Sequence, residues 1–142
     1  MNRIEECISF LLGKAYQQVN AAAKRRLLPH GVTPVQYAVL NVLWQQDARS
    51  GAELGERLQL DSATMTGVLD RLVSAGLIER QADATDRRIN RVVLTEAGRS
   101  LQQPLDQEMD ALNVEIFGQL GAEDAERLRA MLWRLGKLSS RA

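Results

Sequence analysis

Four arginines fall within twelve residues of this chain: Arg80, Arg87, Arg88 and Arg91, opposed within that span only by Asp83 and Asp86. A guanidinium keeps its charge and meets phosphate oxygens through a planar fork, so such a cluster suits a nucleic-acid backbone. Arg88 follows Asp86 by two residues, close enough for a charge-assisted bond to hold the guanidinium in place. An arginine held that way suits a narrow minor groove, where negative potential is concentrated. Just upstream, Ser62, Ala63, Thr64, Thr66, Gly67, Asp70, Arg71 and Ser74 share one face of a helical pattern. Small side chains there let the backbone approach base edges, hydroxyls bond to bases or phosphates, and methyl groups touch thymine. The N-terminal amides of such a helix can also hold a phosphate. The combined chemistry is recognition of a duplex: a helix reads base edges while a basic ribbon grips the backbone beside it.

The flanking elements must position that apparatus. Ile4, Ile8, Leu11, Leu12, Ala15, Val19, Ala22 and Ala23 recur at three- and four-residue steps, which predicts one long helix from Ile4 to about Leu28. Pro29-His30-Gly31 breaks it, and Thr33-Pro34 is a cap followed by a first helical residue. A second helix is expected to about Gln46, a third over Ala52–Gln59, and a turn at Leu60-Asp61. Asp61 or Ser62 caps a fourth helix running to Ala75, with Met65, Val68, Leu69, Leu72 and Val73 inward. Gly76 suits a left-handed C-cap, strands are expected at Leu77–Gln81 and Ile89–Leu94, and Thr95 caps a fifth helix. Leu101, Leu105, Met109, Leu112, Ile116 and Leu120 make a long stripe with Pro104 inside it. After Gly121-Ala122, Ala125, Leu128, Met131 or Leu132, Leu135 and Leu138 line a last helix. The terminal helices carry more apolar stripe than the central module can cover, so a second copy of the chain is the expected cover. The division expected is a DNA-binding lobe over residues 33–98 and a helical dimerisation lobe over 1–30 and 99–142, in one domain spanning 1–142.

Composition narrows the classes. The chain has 142 residues, 25% charged and 45% apolar, with zero formal net charge. That describes a globular protein, and any affinity for DNA must come from local placement of charge. One cysteine, Cys7, excludes an intrachain disulfide and suits a reducing cytoplasm. One histidine beside one cysteine excludes an ordinary structural zinc cluster, and no metal or cofactor is expected. No apolar run approaches the roughly 18 residues of a membrane span. MNRIEECISF carries acids where an export signal has a basic region. The chain also lacks H-E-x-x-H, G-x-S-x-G and a phosphate-binding glycine loop, so no enzymatic activity is expected.

The order helix–helix–turn–helix–ribbon, with LDSATMTGVLDRLVSAGLIER, then DRR, then VVLTEAG, resembles the MarR family of bacterial transcription regulators. The helical flanks match as well, so the resemblance covers nearly the whole chain. It implies a mainly α fold with a small β-hairpin wing: a winged helix-turn-helix, dimeric through its N- and C-terminal helices. It implies a homodimer, usually a repressor, on a pseudo-palindromic double-stranded operator. By position, Arg88 is the wing arginine with Arg87 beside it and Asp86 its partner, while Ser62, Ala63, Thr64, Thr66 and Arg71 lie on the reading helix. The reading helix is not strongly basic, which leaves the operator sequence open.

Many relatives bind small aromatic acids, and the strings GVTPVQYAVLNVLW and LDSATMTGVLDRL are similar to the subgroup controlling aromatic-acid breakdown, some of which sense acyl-CoA thioesters. The residues offered for such an effector are Tyr16, Arg25, Arg26, His30, Tyr37 and Trp44, where cations near aromatic walls suit a carboxylate or phenolate. Tyr37 and Trp44 equally suit a core. The alternative is a peroxide- or thiol-sensing repressor using Cys7, resembling a subgroup with a reactive cysteine in its first helix. Cys7 is displaced by about two residues from that position and lies near the apolar stripe, which favours a buried structural thiol.

Overall fold

The computed structural model describes residues 2–138, so the last four residues of the expected C-terminal lobe lie outside the described residues. In chain order the elements are α1 (Ile8–Leu27), α2 (Pro34–Gln45), β1 (Arg49–Ser50), α3 (Gly51–Leu58), α4 (Ser62–Ser74), β2 (Ile78–Ala82), β3 (Asn90–Leu94), α5 (Glu96–Ser100), α6 (Gln102–Phe117) and α7 (Ala122–Leu135). Short 3-10 turns occupy Ile4–Glu6 and Leu28–His30. The chain divides into two compact units, residues 1–31 with 107–142 and residues 32–106. Residues 99–106, expected with the helical flank, thus fall in the central unit.

Within the central unit, local chemistry sets each boundary. The Thr33 hydroxyl accepts from the Gln36 amide at 3.3 Å while the Gln36 side chain accepts from the Thr33 amide at 3.0 Å, a capping box that starts α2. Ser50 and Glu53 repeat the device at the start of α3. Asp61 accepts from the Thr64 amide at 2.7 Å and starts α4. Gly76 ends that segment at φ 73°, with Leu77 N–H donating to Leu72 and Gly76 N–H to Val73. These are the paired bonds of a Schellman cap, for which glycine has no Cβ penalty. Buried Val39, Leu40, Leu43, Leu54, Met65, Val68, Leu69, Leu72, Ile78, Val92 and Leu94 form the core. Each such side chain contributes roughly 1.5–3 kcal/mol on burial. Val73, expected inward, is 37% exposed, because it falls off the stripe that Met65, Leu69 and Leu72 define.

The sheet has three antiparallel strands in the order β1-β3-β2. Strands β2 and β3 pair from Ile78 opposite Leu94 to Ala82 opposite Asn90, leaving residues 83–89 as the tip. Strand β1 pairs Arg49 with Val92 and Ser50 with Arg91. A two-residue strand leaves no periodicity to read, which is why the sequence suggested only a hairpin.

In the other unit, Ala22, Ala23 and Leu112 are buried together with Met109 and Ile116 packed on them. Arg26 spans two carboxylates there, Glu115 at 3.0 Å and Glu108 at 3.4 Å. The first helix is shorter than expected. Cys7 is extended, with ψ 117°, and separates the Ile4–Glu6 turn from α1. In the central unit, Pro104 sits in the first turn of α6, where its missing N–H costs no helical bond.

Candidate nucleic-acid interface

Helix α4 presents Ser62, Ala63, Thr64, Thr66 and Arg71 to solvent while Met65, Val68, Leu69 and Leu72 face the core. The Thr66 hydroxyl donates to the Ser62 carbonyl at 2.9 Å, which leaves its oxygen free to accept. Asp70, on the same helix, binds Arg80 of β2 at 2.6 Å. That pair ties the reading helix to the wing and removes Arg80 from the set of free cations.

The hairpin tip is built on Asp83. Its Oδ1 accepts from the Thr85 amide at 2.8 Å, the Thr85 hydroxyl at 2.7 Å and the Asp86 amide at 3.0 Å. Its Oδ2 accepts from Arg91 Nε at 2.7 Å. The Thr85 side chain first, then Arg91, hold the Asp83 carboxyl well below the usual carboxylate range. Asp86 grips Arg88 through both oxygens, Nε at 3.1 Å and Nη2 at 3.1 Å, and also accepts the Arg88 amide at 3.0 Å. This bidentate contact lowers the Asp86 pKa and raises that of Arg88. The Arg88 side chain nonetheless remains 90% exposed, aimed outward from an ordered loop. Arg87 beside it is exposed and has no acidic partner among the described residues.

The wing charge read from the sequence therefore divides in two. Arg87 and Arg88 are available to a polyanion, whereas Arg80 and Arg91 are engaged by acids. Arg91 donates to Asp83 and, through Nη1, to Glu53 at 2.6 Å. Glu53 also binds Arg49 at 2.7 Å, and that contact is the largest cause of its lowered pKa. Sequence reasoning missed Glu53. The Ser50-to-Glu53 spacing of a capping box was the available signal.

A helix-turn-helix whose second helix exposes small hydroxylated residues, followed by a wing with an outward arginine clamp, has the parts for duplex recognition. The MarR family model matches residues 32–89. Over 126 residues the chain is 30% identical to the HTH-type transcriptional regulator MhqR of Bacillus subtilis, covering 89% of this chain and 87% of that protein. The chain belongs to the MarR family. It is also 30% identical over 139 residues to the organic hydroperoxide resistance transcriptional regulator of Bacillus subtilis, covering 94% of this chain and 89% of that one. The solved structure of Bordetella bronchiseptica BpsR, whose DNA binding is regulated by 6-hydroxynicotinic acid, superposes with a TM-score of 0.90 at 27% identity, over 98% of this chain and 99% of that chain. This MarR-family chain is thus a DNA-binding transcription regulator with a winged helix-turn-helix. Among the described residues, no helix is long and apolar enough to cross a membrane.

The residues offered for an effector lie in both units. Tyr16, 67% exposed, and Arg25, also exposed, lie on α1. Arg26 is answered by its two glutamates, and His30 is half-buried in the turn after α1. In the central unit, Tyr37 and Trp44 meet edge to face at 5.9 Å. Tyr37 Oη donates to Asp106 at 2.9 Å and Trp44 Nε1 donates to the Gly98 carbonyl at 3.0 Å. Cys7 is half-buried rather than enclosed, because it precedes α1 instead of lying within a packed stripe.

Proposed function

We propose that this MarR-family regulator is a homodimeric repressor that reads a pseudo-palindromic operator with paired α4 helices and wings, and is released by a small aromatic carboxylate or its acyl-CoA thioester. The observation that carries the DNA-reading part is the exposed, clamped Arg88 on an ordered tip beside a hydroxyl-rich helix. Ser62, Ala63, Thr64, Thr66 and Arg71 contact the major groove. Arg87 and Arg88 contact the backbone and minor groove, and Asp86 holds Arg88 in place. Dimerisation is supported by Ile4, Ile8, Leu11, Leu12, Met131, Leu132, Trp133 and Leu135, large apolar side chains left open to solvent on the terminal helices. An apolar surface of that kind marks a covered interface. A dimer must then hold its reading helices about one DNA turn apart, roughly 34 Å. An effector that binds better to another spacing lowers operator affinity by that difference alone.

The effector class is supported by BpsR, whose DNA binding is regulated by 6-hydroxynicotinic acid, an aromatic carboxylate. Arg25 is the first residue to test, as an exposed cation without an acidic partner among the described residues. A second reading, thiol sensing through Cys7, is favoured by the hydroperoxide-resistance relative and by the half-exposed position of the thiol. The experiment is a gel shift on the DNA upstream of the chain's own gene, with aromatic carboxylates, their CoA thioesters and cumene hydroperoxide as competitors. Release by a carboxylate or thioester supports the first reading. Release by peroxide alone, abolished in Cys7→Ser, replaces it with the second. No shift without competitor overturns both.

A further inference from the structure

An acid close to a polyanion weakens binding through charge, so the acids of the wing need a reason to be there. Asp83 has one oxygen on three donors of its own loop and the other on Arg91, with only 14% of its side chain exposed. Arg91 reaches from that carboxylate to Glu53 on α3. Glu53 is anchored by Arg49 of β1 and by the Ser50 cap. From the other side of Asp83, the chain passes directly to Asp86, whose carboxylate clamps Arg88. The polar contacts therefore run without a gap from α3 of the reading lobe to the guanidinium at the wing tip. Arg91 has Nε and Nη1 committed to two carboxylates and only 32% of its side chain exposed, against 90% for Arg88, which leaves it little to offer a phosphate.

We propose that Glu53, Arg91 and Asp83 form a brace that fixes the wing tip on α3, and that they are positioning residues for Arg88 rather than DNA contacts. The inference rests on the reading that Arg88 grips the duplex. It reassigns Arg91 from the basic cluster to the scaffold and gives two acids a part in DNA affinity.

Neutralising Asp83 separates this from simple electrostatics by sign. Charge alone makes Asp83→Asn bind a polyanion more tightly. The brace makes it bind more weakly, because asparagine turns either its oxygen away from the loop amides or an NH2 group toward Arg91. The probe is the labelled duplex upstream of the chain's own gene, titrated at several salt concentrations. Asp83→Asn is expected to weaken binding by on the order of tenfold, the scale of one lost charge-assisted contact. In an Arg88→Ala background the same change is expected to cost less than about twofold, because the residue it positions is gone. Glu53→Gln, which keeps the capping box, serves as the second variant should Asp83→Asn fold poorly, with the same expected pattern. Tighter or unchanged binding by these variants, while Arg88→Ala weakens it, overturns the brace and leaves the wing contact standing. Equal weakening in both backgrounds also overturns it, since that marks a general loss of structure. If Arg88→Ala itself leaves affinity and salt slope unchanged, the wing contact falls and the brace with it.

Discussion

Gly98, at the end of the VVLTEAG string, is expected to tolerate no side chain at all. A Cβ built there collides with the Leu77 carbonyl oxygen and comes within 3.1 Å of the carbonyl carbon and 3.2 Å of Leu94 Cδ2. The obstacle is backbone, and that backbone is pinned. Leu77 closes the cap of α4 through its bond to Leu72, and its carbonyl accepts the Thr95 amide at 3.1 Å. The Thr95 hydroxyl donates to Gly76 at 2.6 Å, and the Gly98 carbonyl accepts Trp44 Nε1 at 3.0 Å. To admit a methyl group, α5 must move away from the start of the wing. Overpacking of this kind costs about 1–3 kcal/mol. Each of the two or so hydrogen bonds disturbed adds about 1 kcal/mol. Replacing a helical glycine by alanine offsets roughly 0.5–1 kcal/mol. The net expectation for Gly98→Ala is a loss of about 2–4 kcal/mol, or roughly 6–12 °C in melting temperature for a domain of this size. Urea unfolding followed by circular dichroism measures it. A change below about 0.5 kcal/mol, the ordinary scatter of surface substitutions, refutes the packing argument.

Three further expectations follow from the same geometry. Gly67 lies in α4 with nothing within 4 Å of a Cβ, so Gly67→Ala should stabilise the fold by about 0.5–1 kcal/mol while altering operator affinity, read by thermal melting and gel shift together. Ser50→Ala removes the side-chain oxygen that accepts the Glu53 amide at 3.1 Å and should cost about 1 kcal/mol in urea unfolding. The carboxyls of Asp83 and Asp86 are depressed from 3.8, so their contribution to stability is fully present above that pH and lost as pH falls below it. Melting temperature plotted against pH should thus fall less steeply below about pH 4 in Asp83→Asn than in the parent chain, and identical profiles would contradict the assigned contacts.

The helices were legible because each carries a local signal that tertiary packing reinforces. Thr33-Pro34, Asp61 and Gly76 act through their own backbone neighbours, so a short window contained the cause of each boundary. Strand β1 was not legible, since two residues have no period and its pairing with β3 is fixed some forty residues away. The outward face of α4 could be read because its buried stripe shows which residues remain. The clamp of Asp86 on Arg88 could be read from its two-residue spacing, but the fates of Arg80 and Arg91 could not. Their partners Asp70 and Glu53 lie 10 and 38 residues away, and only the fold brings them together. The break at Cys7 was hidden for a similar reason, because the apolar spacing of Ile4, Ile8 and Leu11 continues across a residue whose backbone is extended.

The central claim is that two copies of this chain hold two reading helices and two arginine-tipped wings in phase with one duplex. Sedimentation of the purified protein with a labelled fragment from upstream of its own gene, against a scrambled duplex of equal length, tests it most directly. The account predicts two protomers per fragment and a preference of on the order of a thousandfold or more over the scrambled sequence at physiological salt. One protomer per duplex, or equal affinity for both sequences, would contradict it.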